Sequence, residues 1–335
     1  MNANRHWRIK NLFRHESILL IVLVGEWIFF DVVGRNFGTY DNSCDIFRHS
    51  CEIGLLALAM TPVILTGGID LSVGSLLGLC AILFGKFCRD AHLPIPLAAL
   101  CTLAVGALAG GLNAALITRL RLPPLIVTLG TFSLFRGLAE AITRGVDTFT
   151  NFPSSFLFLG QERWLGAPAQ APIFISTGIF FWLLVHRTTF GRTFRAVGFS
   201  PEGARFAGIA VERRMALTYV LAGVVSAIAA IIYTARLGQA KADAGNGYEL
   251  FAITAVVLGG TSIFGGTGSI HGTLLGVAAI AVLQSGIVHA MQPSEMAGML
   301  TGALLIIALA GSVLPKMISS LRARRSANKL ATPIA

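Results

Sequence analysis

The chain alternates between long apolar runs and short polar connectors. Ten runs stand out, at residues 17–33, 50–65, 71–87, 93–117, 125–142, 173–185, 215–234, 250–263, 272–290 and 296–314. A helix needs about 20 residues to cross a bilayer, and most of these runs reach or approach that length. The pattern predicts an all-α polytopic membrane protein with about ten transmembrane helices. The single transmembrane domain covers 17–315, with basic ends at 1–16 and 316–335.

Two runs are interrupted in matching ways. Residues 59–68, AMTPVILTGG, resemble 252–261, AITAVVLGGT, and Ser75-Leu-Leu-Gly78 resembles Thr273-Leu-Leu-Gly276. In each half a short apolar run meets a Gly-rich break and then resumes. Interrupted hydrophobic segments in corresponding positions mark a translocation pathway. Gly-x-x-x-Gly pairs recur at Gly74/Gly78, Gly106/Gly110, Gly272/Gly276 and Gly298/Gly302. Small residues four apart let helix backbones approach closely in lipid, so a tightly packed bundle is expected.

The most charged connector is 186–214, HRTTFGRTFRAVGFSPEGARFAGIAVERR, with six arginines and two acids. Its middle reads as a helix of roughly two turns over 201–207. Ser200 caps it, Pro201 suits the first position, Glu202 faces the positive dipole end and Gly208 closes it. Phe206 and Ile209 give this helix apolar contact residues, which suits a lever gripped by a partner protein.

Charge orients the threading. With the N-terminus inside, the inner segments carry seventeen Lys and Arg and the outer segments eight, with Arg136 inside a run. The excess places both termini and 186–214 on the cytoplasmic side. Arg5, Arg8, Lys10 and Arg14 precede the first run as in a signal peptide. Glu26, Asp31 and the lack of a small-x-small cleavage site make it a retained first span. On the outer side, 144–172 carries Phe149, Phe152, Phe156, Phe158 and Trp164, which suits a segment lying at the interface. The polar loop 236–249 reads either as a docking or gating loop or as an idle turn.

Composition removes other classes. The 335 residues are 54% hydrophobic and 13% charged, against roughly 25% charged in soluble domains. Mean hydropathy is +0.73. The net charge of +10 gathers at run ends, where anionic lipid headgroups rather than nucleic acid are the partner. The five cysteines, at 44, 51, 80, 88 and 101, have no ligand spacing and read as packing residues. Neither a metal nor a cofactor is expected. There is no HExxH, GxSxG or Walker Gly-x-x-x-x-Gly-Lys, so an enzyme is not expected and the chain cannot hydrolyse ATP by itself.

Within the runs a few polar residues are candidates. In TGGIDLSVG either Asp70 or Ser72 caps the next helix, or Asp70 helps shape a cytoplasmic gate. Arg136 and Glu140 are spaced to pair on one helix face, leaving either a neutralised pair or a functional intramembrane charge. Asn113, Thr128 and Thr131 line a polar path or bond neighbouring helices.

Four motifs then stand in register: GGIDLSVGSLLG at 67–78, LPPLIVTLGTFSLFRGLA at 122–139, FGRTFRAVGFSPEGARFAGIAVERRM at 190–215 and YELFAITAVVLGGTSIFGGTGSIHGTLLG at 248–276. Over about 17–315 the chain resembles bacterial ABC permeases for monosaccharides, the ribose, xylose, rhamnose and furanose-signal group related to branched-chain amino acid permeases. The resemblance implies a type II-like ABC importer permease in the inner membrane. Implied partners are a second permease (homo- or heterodimer), two ATPase subunits that bind the ATP, and a periplasmic sugar-binding protein. Ser200, Pro201, Glu202, Gly203, Ala204, Arg205, Phe206, Gly208 and Ile209 would then contact the ATPase as a coupling helix. The pathway would draw on Gly67, Gly68, Asp70, Ser72, Asn113, Thr128, Arg136, Gly259 and Gly260. GGIDLSVG and VVLGGTS suit the sugar branch better than the amino acid branch. The competing reading, an ion-coupled secondary carrier of a small polar solute, would need Asp70 as its coupling acid.

Overall fold

A computed structural model describes residues 3–293, 296–307 and 310, with side chains described from Glu16 onward. The basic tail 316–335 and the last run beyond Ile307 lie outside the described residues, as do the side chains of Arg5, Arg8, Lys10 and Arg14. The order is α1 (Ala3–Val33), α2 (Tyr40–Leu65), α3 (Val73–Arg89), α4 (Ile95–Thr118), α5 (Pro124–Thr143), α6 (Ser154–Gln161), the short strands β1 (Arg163–Trp164) and β2 (Ala167–Pro168), then α7 (Ala171–Trp182). After a π-turn, Leu183–Arg187, come α8 (Thr189–Phe199), α9 (Pro201–Phe206), α10 (Val211–Leu237), α11 (Tyr248–Leu258), α12 (Ile270–His289) and α13 (Met296–Ile307). β1 and β2 form an antiparallel hairpin with Arg163 opposite Pro168.

Over most of their described residues, all ten apolar runs are helical. Among the described residues five helices are long and apolar enough to cross a membrane, or six if α7 and α8 make one span bent by 68°. Of the shorter ones, α3 has 17 residues and α11 only 11. This is a multi-pass, all-helical membrane fold.

The helix α2 is the axle. In its most apolar stretch 83% of residues are buried, against 22% in α4 and 28% in α5, which therefore face outward. Leu55, Leu56, Leu58, Met60, Ile64 and Leu65 are fully enclosed, packed between α10, α11 and α12.

The glycine pairs divide by what they touch. On Gly106 and Gly110 an added Cβ would strike the backbone of α10 at Gly223 and Tyr219, and on Gly272 and Gly276 that of Gly259 and Ala255. These are true backbone-to-backbone contacts, where close packing replaces the hydrophobic gain that lipid withholds. The Gly74/Gly78 face instead makes room for the Glu249 carboxylate, the Arg136 guanidinium and the carbonyls of Ala242 and Ala244. Gly298 and Gly302 meet nothing within 4 Å among the described residues.

The aromatics of 144–172 do not lie at a surface as a group. Phe149, Phe152 and Phe156 are buried, and Phe152 and Phe156 pack on Phe84 of α3 with ring centroids 5.9 and 5.1 Å away. Only Phe158 and Trp164 of the five stay exposed. The neighbouring loop 236–249 is a brace rather than an idle turn. Its Ala240 exchanges two backbone hydrogen bonds with Phe149, at 3.1 and 2.8 Å.

Candidate functional site

Two groups of candidate residues meet at one end of the bundle: the charged connector and the two Gly-rich breaks.

The connector folds into two helices, α8 and α9, where the sequence predicts one. Thr188 caps α8 by accepting from the Phe190 amide at 3.2 Å. Ser200 ends α8 and caps α9, its hydroxyl accepting from the Gly203 amide at 3.0 Å. Gly208, at φ +76°, closes α9. There the Ile209 amide reaches the Ala204 carbonyl and the Gly208 amide the Arg205 carbonyl, the paired bonds of a Schellman ending. Arg205 pairs with Glu212 at 2.7 Å across the turn into α10. Ala204 is buried with Val197 and Val211 in a small separate core, against which Ile209 packs. Pro201, Glu202 and Gly203 are exposed. Phe206 and Phe199 are 93% and 82% exposed, two large rings standing bare at the ends of α9 and α8. Bare aromatics beside a paired arginine are the composition of a protein-contact patch.

The first break, between α2 and α3, begins with a Schellman ending. Gly67, at φ +82°, donates to the Ile64 carbonyl at 2.9 Å, and Gly68 donates to Val63 at 3.1 Å. Asp70, 2% exposed, accepts from both the Ser72 amide at 2.9 Å and the Ser72 hydroxyl at 2.6 Å. Thus Asp70 does not cap the first amides of α3; it fixes Ser72, the residue at the cap position, in place. Asn113 of α4 donates to the same Ser72 hydroxyl at 2.8 Å, and Thr128 of α5 donates to the Ile69 carbonyl at 3.2 Å. Five of the sequence candidates, Gly68, Asp70, Ser72, Asn113 and Thr128, therefore form one buried knot, with Gly67 exposed at its edge.

The second break, between α11 and α12, starts with the same ending. Gly260, at φ +86°, donates to Val257 at 2.9 Å, and Thr261 donates to Val256 at 3.2 Å. Gly259 is buried against Gly272, and Gly260 is exposed. Ser269 then caps α12, accepting from Gly272 at 3.0 Å and donating to Glu16 of α1 at 2.6 Å. His186 accepts from the Ile270 amide at 3.2 Å. The two breaks touch: Gly266 donates to the Leu65 carbonyl at 3.0 Å, and the hydroxyls of Thr61 and Thr273 lie 2.8 Å apart. The internal echo of the sequence is thus a repeated backbone device whose two copies face each other.

Arg136 does not join this group, nor does it pair with Glu140, which stays exposed. Its Nη1 donates to the carbonyls of Ala242 and of Ala244, the latter at 3.0 Å. The helical spacing to Glu140 was available, but carbonyls fixed in the 236–249 brace offer a drier partner. Sequence reasoning missed a second buried charge. Glu52, fully buried in α2, pairs with Arg236 at the end of α10 at 2.7 Å. An acid inside the run CEIGLLALAM was the available signal, since such a charge must find a partner. Removing one member of a buried pair costs about 3–5 kcal/mol. Arg195 of α8 was missed as well; its Nη1 donates to the Val185 carbonyl at 3.1 Å and its Nη2 to Gly268 at 3.4 Å.

Outside the spans, hydrogen bonds from Arg89 and Lys86 hold the Asp90 carboxyl below its usual range. The described residues contain no group of His, Cys, Asp and Glu able to hold a metal ion, and the five cysteines are free thiols.

Residues 44–309 match the family described as "Branched-chain amino acid transport system / permease component". The chain is 40% identical over 286 residues to the "Autoinducer 2 import system permease protein LsrD" of Escherichia coli K12, covering 83% of this chain and 86% of that protein. The same identity and coverage hold for the proteins of that name from Escherichia coli O9:H4 and Shigella flexneri. No solved structure matches the chain.

Proposed function

The chain belongs to the branched-chain amino acid transport system permease family, and on that premise we propose that it is the channel subunit of an ATP-driven importer for a monosaccharide or sugar-like solute. Its place is the bacterial inner membrane, with both termini and α8–α9 on the cytoplasmic side. All ten apolar helices take part in the crossing. At about 1.5 Å per residue, α11 reaches only about half-way, and from the second break α12 turns back along it, Gly272 against Gly259 and Gly276 against Ala255.

The observation that carries this reading is α9. A capped helix fastened to the bundle by Ala204, and presenting Phe206 with Arg205 and Glu202, has the build of a handle. ATPase subunits bind and hydrolyse the ATP and grip that handle. A periplasmic binding protein delivers the solute, and a second permease completes the channel. The chain itself needs no cofactor. The two facing breaks, with Gly67, Gly68, Asp70, Ser72, Asn113, Thr128, Gly259 and Gly260, form the inner end of the path. Arg136 stands apart from it and braces the opposite side of α3. Autoinducer 2, the cargo in the relatives' name, is the first solute to try.

The ion-coupled alternative loses its footing at Asp70. That carboxylate is buried and already accepts two hydrogen bonds from Ser72, so no exchanging ion has ready access.

The test is a double substitution, Gly203→Asp with Phe206→Asp. Both residues are exposed, so the protein should still insert and remain folded in the membrane. ATP-dependent uptake by the reconstituted complex should vanish. Uptake at the normal rate would remove α9 from the coupling role.

A further inference from the structure

The handle does not touch the pathway directly. Under α9 lies a cavity of about 950 Å³, with Ser200, Gly203 and Ala207 on one wall and Gly259, Gly260 and Ser269 on the other. A push on α9 cannot cross that space. Nor can α9 pivot freely, because Ala204 is locked into the small core with Val197 of α8 and Val211 of α10.

The direct backbone connection to both breaks runs through α8. A Cβ added to Gly198 would collide with the Leu65 carbonyl and stand 2.5 Å from the Gly266 nitrogen. Leu65 ends α2 at the first break, and Gly266 lies in the second. The same Leu65 carbonyl accepts from the Gly266 amide at 3.0 Å. Three backbones therefore meet at one point with no side chain between them. One turn earlier on α8, Arg195 ties the Gly268 carbonyl of the second break to the Val185 carbonyl at the start of the connector.

We propose that Gly198 and Arg195 are the positioning residues of transport: they make α8, α9 and both breaks a single rigid body, so that movement of the handle reaches the two halves of the pathway together. Backbone contact at this density transmits displacement rather than absorbing it. A glycine is required because any side chain would wedge α8 off the junction. Arginine is required because one planar fork spans two carbonyls on separate segments.

The inference rests on the importer reading, and the experiment separates the two. The full complex with its ATPase subunits is reconstituted in nanodiscs. A thiol placed by Ile69→Cys in the first break, away from α9, is labelled by maleimide and quantified by mass spectrometry, with and without the ATP analogue AMP-PNP. In the otherwise native chain AMP-PNP should change the labelling rate by about threefold or more. Gly198→Ala should abolish that change while the ATPases still hydrolyse ATP. Arg195→Ala should weaken it, and Arg195→Lys should restore it only in part.

A second arm tests rigidity. A Cβ on Gly266 would lie 3.4 Å from that of Phe199, at the short edge of the range of about 3.5–4.5 Å that a disulfide bridges. The pair Phe199→Cys with Gly266→Cys, oxidised, should respond to AMP-PNP as its reduced form does. The proposal is overturned if Gly198→Ala keeps the full response. It is equally overturned if the oxidised pair loses the response and dithiothreitol restores it. Should Gly198→Ala fail to insert, the disulfide arm decides alone. No response in the otherwise native chain, with ATPases bound, would instead sink the importer reading.

Discussion

The two Gly-rich breaks end their helices with the same pair of hydrogen bonds yet are secured by different means. The first is tied by side chains: Asp70 to Ser72, Asn113 to Ser72 and Thr128 to Ile69. Two helices, α4 and α5, and the break itself contribute to that knot. The second is tied by close approach of backbone. Gly259 sits against Gly272, and Gly265 packs on Gly67 and Gly198. Beyond the Ser269 cap, its side-chain ties, from Arg195, His186 and Glu16, come from outside the repeat. A hydrogen-bonded knot fixes one arrangement, whereas a glycine contact holds only while its neighbours stay in register. The difference lets the first break hold its own shape through hydrogen bonds, while the second keeps its shape only through the backbone contacts around it.

The sharpest way to break this contrast is to put volume where the second break has none. Gly272→Val would drive a side chain into the Gly259 carbonyl. Overpacking of this kind costs about 1–3 kcal/mol and occasionally more, so the yield of folded protein in detergent should fall steeply on size exclusion. Next comes the first break. Asp70→Ala leaves the Ser72 amide and hydroxyl without an acceptor, at a cost of about 1–3 kcal/mol. A lowered thermal midpoint in detergent should report it, and Asp70→Asn, which keeps the accepting carbonyl, should recover most of the loss. If Asp70→Ala proved the more damaging and Gly272→Val harmless, the assignment of backbone ties to the second break would be inverted. The smallest effect concerns the seam between the halves. Thr61→Val and Thr273→Val, singly and together, form a double-mutant cycle. Hydrogen bonds between helices in lipid average about 0.6 kcal/mol, and a coupling near that size should appear in the stability measurements.

What could be read along the chain was what is local. The cap at Ser200, the proline at 201 and the closing glycine at 208 act over a few residues, so α9 was legible almost to its ends. The helix α8 was not, because its arginines hide an amphipathic pattern that only burial of Phe194 and Val197 reveals. Arg136 shows the reverse failure. Its spacing to Glu140 invited a local pair, while its true partners lie more than a hundred residues away. Glu52 and Arg236 are separated as widely. The phenylalanines of 144–172 have the density of an interfacial segment, and nothing in their order says that Phe84 would cover them.

By itself the sequence determined that this is a helical membrane protein, where its breaks fall and where the short capped helix α9 lies. Apolar length, glycine and proline placement and end caps all act within a turn or two, so they are written in adjacent letters. Only the tertiary structure decided that the two breaks face each other, that Gly74 and Gly78 shelter charged groups, and that Gly198 of α8 lies against both breaks. Those outcomes depend on which backbones can approach within contact of one another, and that is a property of the packed bundle rather than of any one segment.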